Sequence, residues 1–250
     1  MNISVQFYTD KLPVAYRLCV LSLIKECLRR GDESAYLYYY SNQCPKPFTF
    51  SVFLQDFTMG SHEIELTGFR LNLSSSDYQF LVPFLNGLQR TKHFQYKGYS
   101  ITRGLIQYGR EQKVHSSKIV VRTNSPILIE DAQGKPLSPS DPLYNQHLNK
   151  IMDKISITMR GIPLHRELHL QPVHVKKTVI KEKNEEYEKA VAEGRASSEY
   201  LYFTAYHGLF ILTGDPCDLK WLLDTGIGLR GSQGYGHIKL ESEVMSTNEA

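Results

Sequence analysis

The chain has 250 residues, 41% hydrophobic and 22% charged, enough apolar side chains to bury real cores and too few charges for a disordered chain. Its net charge of +3 neither requires nor excludes a nucleic-acid partner, so any basic surface must be local. The longest strongly apolar run, near residues 18–24, falls far short of the ~20 residues of a membrane span, the first residues show no signal peptide, and Cys19, Cys27, Cys44 and Cys217 lack C-x-x-C spacing, which disfavours a zinc site or disulfide framework and suits a reducing cytoplasm.

Ile3, Val5 and Phe7 alternate with polar residues and predict a strand. Pro13 suits a first helical position, and Val14, Leu18, Leu21, Ile24 and Leu28 follow at steps of three or four, predicting an amphipathic helix that ends before Gly31. Strand-like alternation returns at Phe48, Phe50, Val52 and Leu54, and again at Ile64 to Leu71 with Gly68 interrupting. Ser74 to Ser76 would cap a second helix carrying Phe80, Leu81, Phe84, Leu85 and Leu88, kinked or delayed by Pro83. Residues 96–108 read as a strand. The order is β-α-β-β-α-β.

The second half repeats it. Ile119 and Val121 alternate with Lys118, Val120 and Arg122. Asp141-Pro142 opens a helix with Tyr144, Leu148, Ile151 and Ile155 as its apolar stripe. Residues 164–179 and 200–212 read as long strands, joined by a Lys- and Glu-rich solvated hairpin extension with helical character at 181–199. Asp215-Pro216 starts the last helix, Gly226 ends it, and Ile238 and Leu240 belong to the last strand. The expected fold is α+β, two ferredoxin-like domains in tandem with antiparallel sheets, spanning 1–112 and 113–250.

Residues 226–236 read Gly-Ile-Gly-Leu-Arg-Gly-Ser-Gln-Gly-Tyr-Gly. A dinucleotide fingerprint needs a strand before such a loop and a helix after it, and here that order is reversed. Five glycines in eleven residues exceed what a turn needs. Without Cβ atoms the loop would let a sugar-phosphate backbone reach main-chain N–H groups.

This loop, with G-x-G-x5-G-x-G spacing over Gly226, Gly228, Gly234 and Gly236, resembles that of the CRISPR-associated repeat-RNA endoribonucleases, the sixth Cas protein family of the RAMP superfamily. Pro45-Lys46-Pro47-Phe48-Thr49-Phe50-Ser51 resembles the family's segment entering its second strand, and Thr123-Asn124-Ser125-Pro126-Ile127 its T-x-S-P-I segment. The resemblance implies cleavage of CRISPR precursor RNA within repeats, without metal or cofactor. In that reaction the ribose 2′-OH attacks phosphorus, leaving a 2′,3′-cyclic phosphate and a 5′-OH. It implies repeat RNA as partner, with other Cas proteins of an effector complex as further partners, and leaves monomer and homodimer open.

The chemistry needs a proton acceptor for the 2′-OH, a donor for the 5′-oxygen, and positive charge against the phosphorane. Many members place a histidine shortly after the first helix; residues 35–48 hold none, and Tyr38, Tyr39 and Tyr40 stand there. The catalytic candidates are those three tyrosines, Lys46 at the place of a family active-site lysine, and Lys25. The tyrosines alternatively fill a core, and Lys25 with Arg29 alternatively forms a solvated helix face. The RNA-binding candidates are Gly226, Gly228, Arg230, Gly231, Ser232, Gln233 and Gly234, with Arg29, Arg166, Lys176 and Lys177. His165, Glu167 and His169 would share one face of a strand, read as polar surface rather than a metal site. Two other readings stand beside the nuclease: a non-catalytic repeat-RNA-binding RAMP subunit, and a ferredoxin-like module with an unrelated ligand.

Overall fold

A computed structural model describes residues 1–42, 44–184 and 186–244. In chain order the elements are β1 (Asn2–Tyr8), β2 (Lys11–Pro13), α1 (Tyr16–Gly31), α2 (Glu33–Tyr40), β3 (Phe48–Gln55), β4 (Thr58–Met59), β5 (Glu63–Glu65), β6 (Gly68–Ser75), α3 (Tyr78–Arg90), β7 (His93–Tyr96) and β8 (Tyr99–Tyr108). They continue with β9 (Lys118–Thr123), α4 (Tyr144–Arg160), β10 (His169–Lys183), α5 (Tyr187–Ala192), β11 (Tyr200–Thr213), α6 (Pro216–Thr225) and β12 (Ile238–Glu243).

The first sheet runs β3-β6-β1-β8-β7 and the second β10-β11-β9-β12, with antiparallel neighbours throughout. Without the edge strand β7, both follow one ferredoxin-like pattern: the first and third strands of each β-α-β-β-α-β unit sit in the centre. Ile3, Val5 and Phe7 are buried, as their alternation requires, under α1 and α3. The second core gathers Ile119, Val121, Phe210 and Leu212 under Tyr144, Leu148, Leu219 and Leu222. No helix among the described residues is long and apolar enough to cross a membrane.

Several elements differ from the sequence reading. Pro13 lies in β2, paired with Glu63 of β5, and α1 starts at Tyr16. Pro83 is accommodated inside α3. Asp141 ends the loop before α4 rather than capping it: its carboxylate accepts from the Leu143 N–H at 2.8 Å, and the helix begins at Tyr144. Its buried stripe is Tyr144, Leu148, Met152 and Ser156, which leaves Ile151 and Ile155 partly exposed. β10 begins at His169, so His165 and Glu167 lie in the preceding loop and share no strand face with it.

The two halves meet along β3. Thr49 Oγ1 donates to the Tyr235 carbonyl at 2.8 Å, and His237 Nδ1 lies 2.9 Å from Ser51 Oγ. Burial lowers the His237 pKa from 6.5 to about 4, so the folded protein holds it neutral. The unfolded chain takes up this proton below pH 6.5 and the folded protein does not, so stability falls as pH drops from 6.5 toward 4. The expected loss is about 3 kcal/mol. Melting temperatures across this range check it: His237→Gln should flatten the slope relative to the unsubstituted protein.

Candidate nucleic-acid site at the lysine pair and glycine loop

α1 ends at Gly31 and α2 begins two residues later, because the Asp32 carboxylate accepts from the N–H groups of Ser34 and Ala35. The three tyrosines therefore ride on a helix, where neighbours fan out at ~100°, and they separate. Tyr38 is 71% exposed. Tyr39 is buried, and its hydroxyl donates to Asp77 Oδ2 at 2.6 Å. Tyr40 alone turns under the lysines: Lys25 Nζ lies 4.9 Å and Lys46 Nζ 5.5 Å from its ring centroid. An aromatic face attracts cations, so one ring gathers two like charges from distant parts of the chain.

Lys46 Nζ donates to the carbonyls of Asn42 at 2.8 Å and Cys44 at 2.6 Å. Desolvation, aided by the charge of Lys25, lowers its pKa from 10.5. Burial raises the pKa of the Tyr40 hydroxyl, and burial followed by the Asp77 contact raises that of Tyr39. Neither tyrosine is suited to accept a proton from a ribose hydroxyl.

Lys46 lines a cleft of about 590 Å³ together with residues 130–132, α4 and the glycine loop. α4 contributes His147, Lys150 and Lys154; the loop contributes Arg230, Gly231 and Ser232. A smaller hollow of about 210 Å³ on Lys46 is lined by Tyr38 and Tyr39. Burial raises the pKa of Glu130, which lines the cleft beside Asp131.

The loop glycines have a different job from the one their spacing suggests. Gly226, Gly228, Gly234 and Gly236 are buried, and their N–H groups are already bonded to Leu222 O, Met152 Sδ, Gly231 O and Pro126 O. A Cβ on Gly234 would lie 2.9 Å from the Phe50 ring, and one on Gly236 would lie 2.0 Å from the Ile227 carbonyl. These glycines let the loop fold tightly and press against β3. The N–H groups of Gly226, Gly228 and Gly234 are thus already taken, and these glycines stand as RNA-binding candidates by their place in the loop alone. What the loop offers outward is the turn 230–233: Arg230 has φ +59°, stacks 4.1 Å over Phe203 and donates to Gln233 Oε1 at 2.8 Å.

The structure thus brings Lys25, Lys46 and Tyr40 together and sets Lys46 across a cleft from Arg230, Gly231 and Ser232. Arg29 is apart, ion-paired to Glu26 at 2.8 Å. Arg166 is exposed in the loop after α4, and Lys176 and Lys177 lie on opposite faces of edge strand β10. His165 contacts Asp218 at 3.0 Å. His165, Asp215 and Asp218 are close enough to share an ion, yet Asp218 also pairs with Arg160 at 2.7 Å, a cation already in place. Sequence reasoning missed Lys150 and Lys154; their spacing of four on the polar side of α4 was the available signal.

A family model described as the C-terminal part of the CRISPR-associated protein Cas6 matches residues 110–240. No curated protein matches the chain. Among solved structures, the chain is similar to a Cas6-related gene product from Pyrococcus furiosus, with TM-score 0.78 and 17% identity over 96% of this chain and 98% of that one. It is also similar to a RAMP protein described as binding different RNA substrates, with TM-score 0.74 and 19% identity over 96% and 99%. A Cas6 product complex matches at TM-score 0.64 and 12% identity over 96% and 98%. At these identities the likeness is one of fold.

Proposed function

The chain belongs to the CRISPR-associated Cas6 family, and on that premise we propose that it is a metal-independent endoribonuclease that cuts CRISPR precursor RNA within its repeats. The observation that carries this reading is the pair Lys25 and Lys46, held over one tyrosine ring at the edge of a cleft lined by further lysines. As a ribose 2′-OH attacks, its proton passes to solvent water, since the buried tyrosine hydroxyls do not accept it, and negative charge builds on the phosphorane oxygens and on the departing 5′-oxygen. Two ammonium groups held in place supply opposing charge and N–H donors, and Lys46, with its lowered pKa, is the better proton donor of an ordinary lysine's kind. Lys150, Lys154 and Arg230 then hold flanking phosphates.

Two experiments test this. Repeat RNA should be cut, and the same RNA with a 2′-deoxy nucleotide at the cleavage position should bind and stay intact. Cleavage of the deoxy substrate would sink the mechanism. The role of Tyr40 separates ring from hydroxyl: Tyr40→Phe should cleave within a few-fold of the unsubstituted rate, whereas Tyr40→Leu should fall ~10-fold or more as the lysines lose their common support. Equal loss in both would return the hydroxyl to the chemistry.

A second reading, a non-catalytic RNA-binding subunit of an effector complex, is favoured by one feature. Residues 35–48 carry no histidine, and the tyrosines there are poor bases. Under that reading the deoxy and ribose RNAs bind alike and neither is cut.

A further inference from the structure

The long hairpin of β10 and β11 carries a pattern that the cleft does not use. In its antiparallel register Lys177 pairs with Tyr206, Lys181 with Tyr202 and Lys183 with Tyr200. These residues alternate along both strands, so all six side chains stand on one face. The rung between the first two pairs, Val179 with Thr204, is uncharged, and the Glu199 carboxylate stands beside the Tyr200 hydroxyl at the far end of the row. The reverse face is spent on packing: Ile180 and Ala205 are buried with Leu128 and Tyr235, and Glu182 accepts from the Tyr235 hydroxyl at 2.8 Å. The face is most open at its middle, with Tyr202 63% and Val179 56% exposed and Lys177 exposed beside them, while Lys181, Lys183, Tyr200 and Tyr206 are half-buried. Lys181 Nζ lies 3.8 Å from the Tyr200 ring centroid, so cation and ring already form one surface.

We propose that this ladder is a second RNA-contact surface, taking an unpaired stretch of the RNA whose repeat the cleft handles; in naming that ligand it rests on the proposed function. Rungs two residues apart are ~7 Å apart along the strands, so each ring meets a base that has left its neighbour's stack. Every base has a π-face, which makes such stacking tolerant of sequence, and the lysines track the phosphates. A duplex hides its base faces and offers the rings nothing. Cross-strand lysine–tyrosine pairing also supports a hairpin by itself, and the substitutions below separate the two roles.

The probe is a fluorescein-labelled oligouridylate, titrated into the full chain by fluorescence anisotropy. Tyr202→Ala should weaken binding ~10-fold, and Tyr202→Phe, which keeps the ring, should bind within twofold of the unsubstituted protein. Changing Lys177, Lys181 and Lys183 together to Gln should reduce the slope of log affinity against log salt by about 2. The proposal is overturned if Tyr202→Ala binds as tightly as the unsubstituted protein, if Tyr202→Phe falls as far as Tyr202→Ala, or if a blunt RNA duplex of equal length binds as well as the single strand. Repeat cleavage measured on the same proteins keeps the two readings apart. Ladder-dependent oligouridylate binding without cleavage removes the nuclease and leaves the ladder. Cleavage with ladder-independent binding removes the ladder alone.

Discussion

Lys46→Met is expected to slow repeat cleavage by ~10³-fold in single-turnover assays while repeat affinity changes only a few-fold. Lys46 is one of several cations lining the cleft, and Lys150, Lys154 and Arg230 remain there to hold phosphates. What disappears is the donor that the proposed mechanism sets against the developing charge. The two carbonyls it serves, of Asn42 and Cys44, belong to an exposed segment and can turn to water, so the fold should survive. A pH profile adds a second readout. On the proposed mechanism Lys46 acts in its charged form, so the rate should fall as pH rises through its pKa, which lies below 10.5 because of burial and Lys25. Lys25→Met removes the like charge and should move that alkaline limb upward while lowering the rate. Unchanged cleavage by Lys46→Met would end this assignment.

Gly236→Ala is expected to damage the fold rather than the chemistry. The position has φ +66°, and its added Cβ would stand 2.0 Å from the Ile227 carbonyl, a backbone atom that cannot swing aside. The strained dihedral and the forced opening of the loop together should cost about 3 kcal/mol or more. That is a fall of ~10 °C in melting temperature for a chain of this size. Ser232→Ala, at the cleft edge in the outward turn, should leave melting unchanged and weaken RNA binding. If Gly236→Ala melts normally and loses RNA binding instead, the buried glycines serve the nucleic acid directly.

Much of the architecture was legible because burial on one face of a strand or helix leaves a period in the sequence. Ile3, Val5 and Phe7, or Ile119 and Val121, could be read no other way, and Asp215-Pro216 and Gly226 bracket the last helix as local chemistry demands. The tyrosine trio was not legible. Three neighbours of one kind carry no period, and only the Asp32 cap, two residues beyond a helix already assigned, reveals that they begin a second helix. The glycines announced an unusual backbone. Spacing alone does not tell whether the close neighbour is a phosphate or the Phe50 ring, and here it is the ring. The convergence of Lys25 and Lys46 on Tyr40 is tertiary, joining α1, α2 and the segment before β3; the resemblance pointed to Lys46 and the polar helix face to Lys25, and neither gave a contact between them. The cleft lysines of α4 were hidden by an apolar stripe whose second half, Ile151 and Ile155, sits one residue from the buried Met152 and Ser156.

The account stands or falls on a reaction run in EDTA. The purified 250-residue chain is incubated with repeat RNA, and the ends of any products are analysed. A 2′,3′-cyclic phosphate and a 5′-OH are the expected ends, formed with the divalent ions chelated. Tightly bound but intact RNA, or cleavage that appears only with added metal and leaves a 5′-phosphate, would contradict a lysine-based, metal-independent nuclease.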